Sequence, residues 1–156
     1  MINRRHIRLK IMQYLYASEI SNFEYTKEHY KNLINNIHSI HNLYLLQISF
    51  LIEIWRKAQN KYKISRVSIS GIISKKYTNT KFSDNEFLNQ ISKFSKFSKL
   101  INSKSFINWE VDYNYVNLIY DKIIDSEIYR LYIDDSNKSF ENDLKFIHDI
   151  FKDIIV

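Results

Sequence analysis

The sequence predicts an all-α protein, and three observations carry the prediction. Apolar residues recur at steps of three and four through most of the chain, the spacing that lines one face of a helix. Polar residues suited to helix N-caps stand ahead of several of these stretches. A short strand fits only within residues 64–82, where Val67, Ile69 and Ile72-Ile73 lie among Ser, Thr and the lone Gly71.

Taken in order, Asn3 is placed to cap a first helix over about residues 3–18, with Ile7, Ile11, Tyr14, Leu15 and Ser18 on one side. A second helical region covers about 25–63. Its positions Tyr30, Ile34, Ile37, His41, Tyr44, Ile48, Leu51, Trp55, Ala58 and Tyr62 alternate steps of four and three, as expected of one long helix or two stacked ones in a bundle. Residues 64–82 read as an irregular connector. Ser83 and Glu86 have capping-box spacing, which predicts a helix from Asp84 carrying Phe87, Leu88, Ile91 and Phe94. Asp112, Ser126 and Ser139 are placed to cap three further helices up to the C-terminus. The last of these carries Leu144, Ile147, Phe151 and Ile154 on one side, and that face is expected to be incompletely covered.

At 156 residues the chain is expected to form a single domain, residues 1–156. A hydrophobic fraction of 45% with 26% charged residues argues against wholesale disorder. The absence of Cys excludes disulfides, thiolate metal sites and cysteine nucleophiles, and is compatible with a cytoplasmic location. Arg4 to Lys10 followed by Ile11, Met12, Tyr14 and Leu15 copies a signal peptide only superficially, because Gln13 and Glu19 interrupt the apolar stretch. The run Leu43 to Trp55 is far short of the roughly 20 apolar residues of a spanning helix.

The net charge of +6 and a pI of about 9.3 point to an anionic partner. Residues 1–82 hold 14 Lys and Arg against 4 Asp and Glu, whereas residues 83–156 hold 9 against 13. A basic front half ahead of an acidic rear implies a directional binding face. Ile, Asn, Lys, Tyr and Phe, all with AT-rich codons, are abundant, so arginine is the more informative cation. Three of the six arginines, Arg4, Arg5 and Arg8, fall within the first eight residues.

No catalytic constellation is visible: there is no GxSxG, HExxH or glycine-rich phosphate loop, and no cofactor is implied. His38 and His41 are spaced to face one metal ion but lack an evident third ligand. Asp121 and Asp125 read as solvated acids on a helix face, and Asp134-Asp135 as a loop or cap. The arginine cluster is different. At i,i+3 and i,i+4 spacing on a helix the guanidinium groups crowd together and repel one another, and the macrodipole disfavours cations at a helix N-terminus. Single-stranded RNA relieves both, since guanidinium groups bind phosphate bidentately and stack on unpaired bases. Tyr16 is near enough in sequence to add a stacking platform.

The run Arg4-Arg5-His6-Ile7-Arg8 through Gln13-Tyr14-Leu15-Tyr16 resembles the opening of NusB transcription antitermination proteins, in the variety found in Bacteroidetes. The resemblance continues through Leu43-Tyr44-Leu45, Asn79-Thr80-Lys81-Phe82 with Asn85, Trp109 with Asp112 and Val116, Tyr129 with Tyr132, and Phe140 with Asp143, Phe146 and Phe151. It implies a NusB-like fold of two packed helical bundles. It also implies a non-enzymatic role in ribosomal RNA operon transcription, with boxA RNA, the ribosomal protein NusE and the transcription elongation complex as partners. By motif match Arg4, Arg5, Arg8 and Tyr16 would contact RNA, while Gln13 and Leu15 would be packing positions. Related proteins continue with further helices beyond the position of Val156, which leaves the second bundle incomplete by comparison. Two other readings stand beside this one: a helical protein-interaction module or degenerate relative without specific RNA binding, and the accessory domain of an rRNA methyltransferase. The second has no methyltransferase domain or glycine-rich cofactor loop in this sequence to support it.

Overall fold

The computed structural model describes residues 4–21, 27–67, 79–102 and 108–155, and among them there is helix but no strand. The elements in order are α1 (Arg4–Ile20), α2 (Lys27–Val67), α3 (Glu86–Lys93), α4 (Ser95–Asn102), α5 (Tyr113–Asp125), α6 (Glu127–Asp134) and α7 (Phe140–Ile150), followed by one π-helical turn, Phe151–Ile155. The chain divides into two compact units, Met1–Ile48 and Ser49–Val156, and α2 contributes residues to each. No helix among the described residues is long and apolar enough to cross a membrane. Of the expected connector, residues 64–67 continue α2 and 79–82 lead into a turn; the possible strand around Ile69 and Ile72, like the Asn3 cap, lies outside the described residues.

In the first unit α1 turns Ile7, Ile11, Tyr14 and Ser18 inward, as the spacing predicts. Leu15 and Gln13 are corrections: both are exposed. At 100° per residue Leu15 stands about 65° to one side of the Ile7, Ile11, Tyr14, Ser18 line and Gln13 about 135° around from it, so a helix packed on that line leaves them in solvent. The Tyr14 hydroxyl donates to the backbone carbonyl of His29 on α2 at 2.7 Å, and the two rings meet edge-on at 6.5 Å. Along α2 the expected seam holds where the second unit's core surrounds it, with Leu51, Trp55 and Ala58 buried. It fails at Tyr30, His41 and Tyr44, which are exposed in the first unit's part of α2.

In the second unit α6 packs against α5 and α7, α3 packs on α7, and the closing turn returns to α5. Ile54, Leu88, Val116, Ile123 and Ile150 are almost fully buried in the shared core. Tyr132 stacks on Phe146 at 3.8 Å, and Phe82 meets Phe146 edge-on at 5.4 Å. At the C-terminal face Ile147 is buried, while Phe151, Ile154 and Ile155 are only partly buried where the closing turn meets α5, so the cover is incomplete as expected. Leu144 is a correction: it is exposed, because at 100° per residue it stands about 120° around the helix from the buried Ile150.

Helix α3 starts two residues later than the capping-box spacing predicts. Asn85, not Ser83, is the N-cap, and its side chain accepts from the Leu88 N–H at 3.0 Å. Ser83 instead donates to the Thr80 carbonyl at 2.8 Å within the preceding turn, and the Glu86 N–H goes to a carboxylate oxygen of Asp143 at 2.7 Å. Ser126 and Ser139 do cap α6 and α7, accepting from Tyr129 N–H and Asn142 N–H. Asp112 holds the cap position of α5 without a side-chain bond.

A buried polar network ties these starts together. The Tyr132 hydroxyl donates to Asp143, and burial, followed by the Asp143 carboxylate, pushes the phenol well above its ordinary range. Lys81 donates to the backbone carbonyls of Tyr132 and Asp135, both at 2.7 Å, and lies 4.4 Å over the Tyr132 ring. A buried ammonium is tolerated here because it satisfies the free carbonyls at the C-terminus of α6, where the macrodipole favours a cation. Lys57 is held similarly by Asn117 and the Tyr120 ring at 4.8 Å; burial lowers its pKa, opposed by the nearby Asp121 carboxylate.

Candidate functional site

Helix α1 brings the four candidate residues to its solvent side. Arg4, Arg5, Arg8 and Tyr16 are all exposed. At 100° and 1.5 Å per residue they occupy an arc of about 120° and a length of about 18 Å along the helix. The inward line through Ile7, Ile11, Tyr14 and Ser18 runs beside Arg4 and roughly opposite Tyr16, about 110° from the centre of the four, so the contacts that anchor α1 leave all four in solvent. Ser18 Oγ donates to the Leu15 carbonyl at 2.8 Å and Ser21 Oγ to the Ala17 carbonyl at 2.6 Å. These bonds occupy two carbonyls of the last turns, which helps to finish the helix.

The first turn of α1 contains no acid, and Glu19 is the helix's single carboxylate, against Arg4, Arg5, Arg8 and Lys10. The cationic end therefore coincides with the positive end of the macrodipole, and an anion placed there gains from both. Sequence reasoning missed two neighbours on the same side, Leu9 and Met12, which lie between the arginines and Tyr16 and are likewise exposed. Their signal was present in the spacing, at steps of three and four from Arg5 and Tyr16, but the inward-facing line carries the same period.

Other candidates are not brought together. His38 and His41 are both exposed on α2, and no group of three metal-ligating side chains occurs among the described residues. Asp121 and Asp125 are exposed on α5, and Asp134 and Asp135 lie at the end of α6. An open cleft of about 450 Å³ in the second unit is lined by Ser49, Glu53, Arg56, Trp109 and Tyr113 among others. Trp109 donates there to Ser49 at 3.2 Å, and Arg56 pairs with Glu53, so its polar groups are engaged with one another. No protein-family model, curated protein or solved structure matches the chain.

Proposed function

We propose that this chain is a non-enzymatic, cytoplasmic RNA-binding protein of the NusB kind, which takes boxA-like single-stranded RNA on the exposed side of α1 and acts with NusE in antitermination on ribosomal RNA operons. The observation that carries the reading is the gathering of Arg4, Arg5 and Arg8 on the solvent-facing side of α1 at its positive end, with Tyr16 exposed about 12 Å further along the same helix. The arginines supply phosphate contacts and Tyr16 a stacking surface for a base, the pairing of groups that single-stranded RNA calls for. The specific partners come from the resemblance of Arg4 to Tyr16, and of the later motifs, to the NusB family.

Titration of a labelled boxA-like RNA, with and without NusE, tests this. If three to four phosphates are neutralised, the logarithm of the affinity falls against the logarithm of salt with a slope of roughly −2 to −3, at about −0.7 per contact. Arg5→Ala and Arg8→Ala each weaken binding by about 1 kcal/mol and flatten the slope. Binding that ignores RNA sequence, or that survives Glu at both positions, assigns the chain to the class of helical protein-interaction modules instead.

A further inference from the structure

Lys57 is a nucleophilic group in the second unit that RNA binding on α1 leaves unused. Lys57 and Lys61 stand about one turn apart on α2, and Asn117 and Asp121 about one turn apart on α5, so each pair shares a face of its helix. The two faces meet where Lys57 Nζ donates to Asn117 Oδ1 and lies 4.8 Å over the Tyr120 ring. Lys57 is 7% exposed, whereas Lys61 and Asp121 are exposed and Asn117 is half-buried. The stem of Lys57 is therefore covered, and its amine ends at the rim among residues that small solutes reach. Burial lowers the pKa of this amine; the Asp121 carboxylate opposes the fall and the Lys61 ammonium adds to it. Desolvation beside a second cation is a known way to make a lysine nucleophilic. Nothing in the sequence marks Lys57 out, since lysine is abundant and Asn117 lies 60 residues away.

We propose that Lys57 is an acylation site and that its acyl donor is an acyl phosphate. The ammonium first gives one proton to solvent by way of Asp121. The lone pair of the neutral amine then attacks the acyl carbon, and an N–C bond forms as the C–O bond to phosphate breaks. The leaving phosphate keeps that electron pair, takes one of the two remaining N–H protons and departs as hydrogen phosphate. The other N–H stays on Asn117, which orients the amine before attack and holds the amide afterwards. Lys61 selects the class of donor, because its ammonium stabilises a dianionic leaving group and does nothing comparable for a neutral ester. The product is uncharged, so a cation is removed from a covered position where its desolvation is costly.

Incubation of the folded chain with acetyl phosphate at neutral pH, followed over time by digestion and mass spectrometry of the lysine peptides, tests the proposal. Lys57 is expected to react roughly threefold or more faster than the exposed Lys63, Lys122 and Lys152. The preference disappears in urea that unfolds the chain, because the placement beside Lys61 and Asn117 is then lost. Lys61→Ala lowers the Lys57 rate with acetyl phosphate by about threefold or more relative to its rate with p-nitrophenyl acetate, a neutral donor. Lys61 is exposed, so circular dichroism of this variant matches the parent. A Lys57 that reacts no faster than the exposed lysines, a preference that persists in urea, or a Lys61→Ala chain that slows both donors alike overturns the proposal.

Discussion

Tyr132 shows how much one buried hydroxyl holds. It donates to Asp143, receives a 3.4 Å contact from the Asn85 amide, and its ring lies between Phe146 and the Lys81 ammonium. Tyr132→Phe keeps the ring but removes a donor from a buried carboxylate, and is expected to cost about 1 to 3 kcal/mol. The check is the urea midpoint, which falls while the slope stays unchanged. The same residue ties stability to alkaline pH. Its phenol pKa is raised in the folded state above the ordinary 10.0, so its contribution is complete below that pH and is lost as pH rises above it. Urea titrations at rising alkaline pH show a steeper loss for the parent chain than for Tyr132→Phe. Tyr and Lys were the residues whose abundance made them least informative in the sequence. Lys81 and Tyr132 became readable only once folding placed an ammonium, a carboxylate and a phenol in one buried cluster.

Among the elements, the start of α3 shows where local sequence rules stop. The Ser83 and Glu86 spacing is that of a capping box, yet Asn85 takes the cap because Asp143 from α7 supplies the acceptor for the Glu86 N–H. Asn85→Ala removes the cap bond and the amide contacts to Tyr132 and Asp143 together. It is expected to cost about 2 to 3 kcal/mol, against about 1 for Ser83→Ala, which loses a single bond to a backbone carbonyl. Equal losses in the urea midpoint would restore Ser83 as the capping residue. Ser126 and Ser139 behave as their positions predict because no distant group competes for the N–H groups they serve. Helix α1 is the opposite case to α3. Its candidate residues were legible because their side of the helix follows from spacing alone once the inward line is known.

On the scale of the whole molecule, the closing turn decides whether the last apolar residues are a liability or part of the core. Phe151, Ile154 and Ile155 pack against the core of the second unit. Removing residues 151–156 is expected to cost at least about 2 kcal/mol and to raise binding of a hydrophobic dye, since three partly buried side chains and the cover they provide are lost together. Unchanged stability and dye binding would mean that the turn covers nothing. The motifs Lys81-Phe82, Asn85, Tyr129 with Tyr132, and Asp143 with Phe146 all lie in this unit's core or its buried network. They therefore report how this part of the chain packs, and the proposed chemistry rests on the separate group at Arg4 to Tyr16. The sequence by itself determined the helical class, the inward line of α1, the caps at Ser126 and Ser139, and the basic cluster, because periodicity, capping and charge act over neighbouring residues. The tertiary structure alone decided that Asn85 and Asp143 replace the capping box, that Lys81 is buried over Tyr132, and that the closing turn packs against α5. Each of these depends on groups brought together from distant positions, and a local pattern carries no information about a partner more than fifty residues away, as Asp143 is from Asn85.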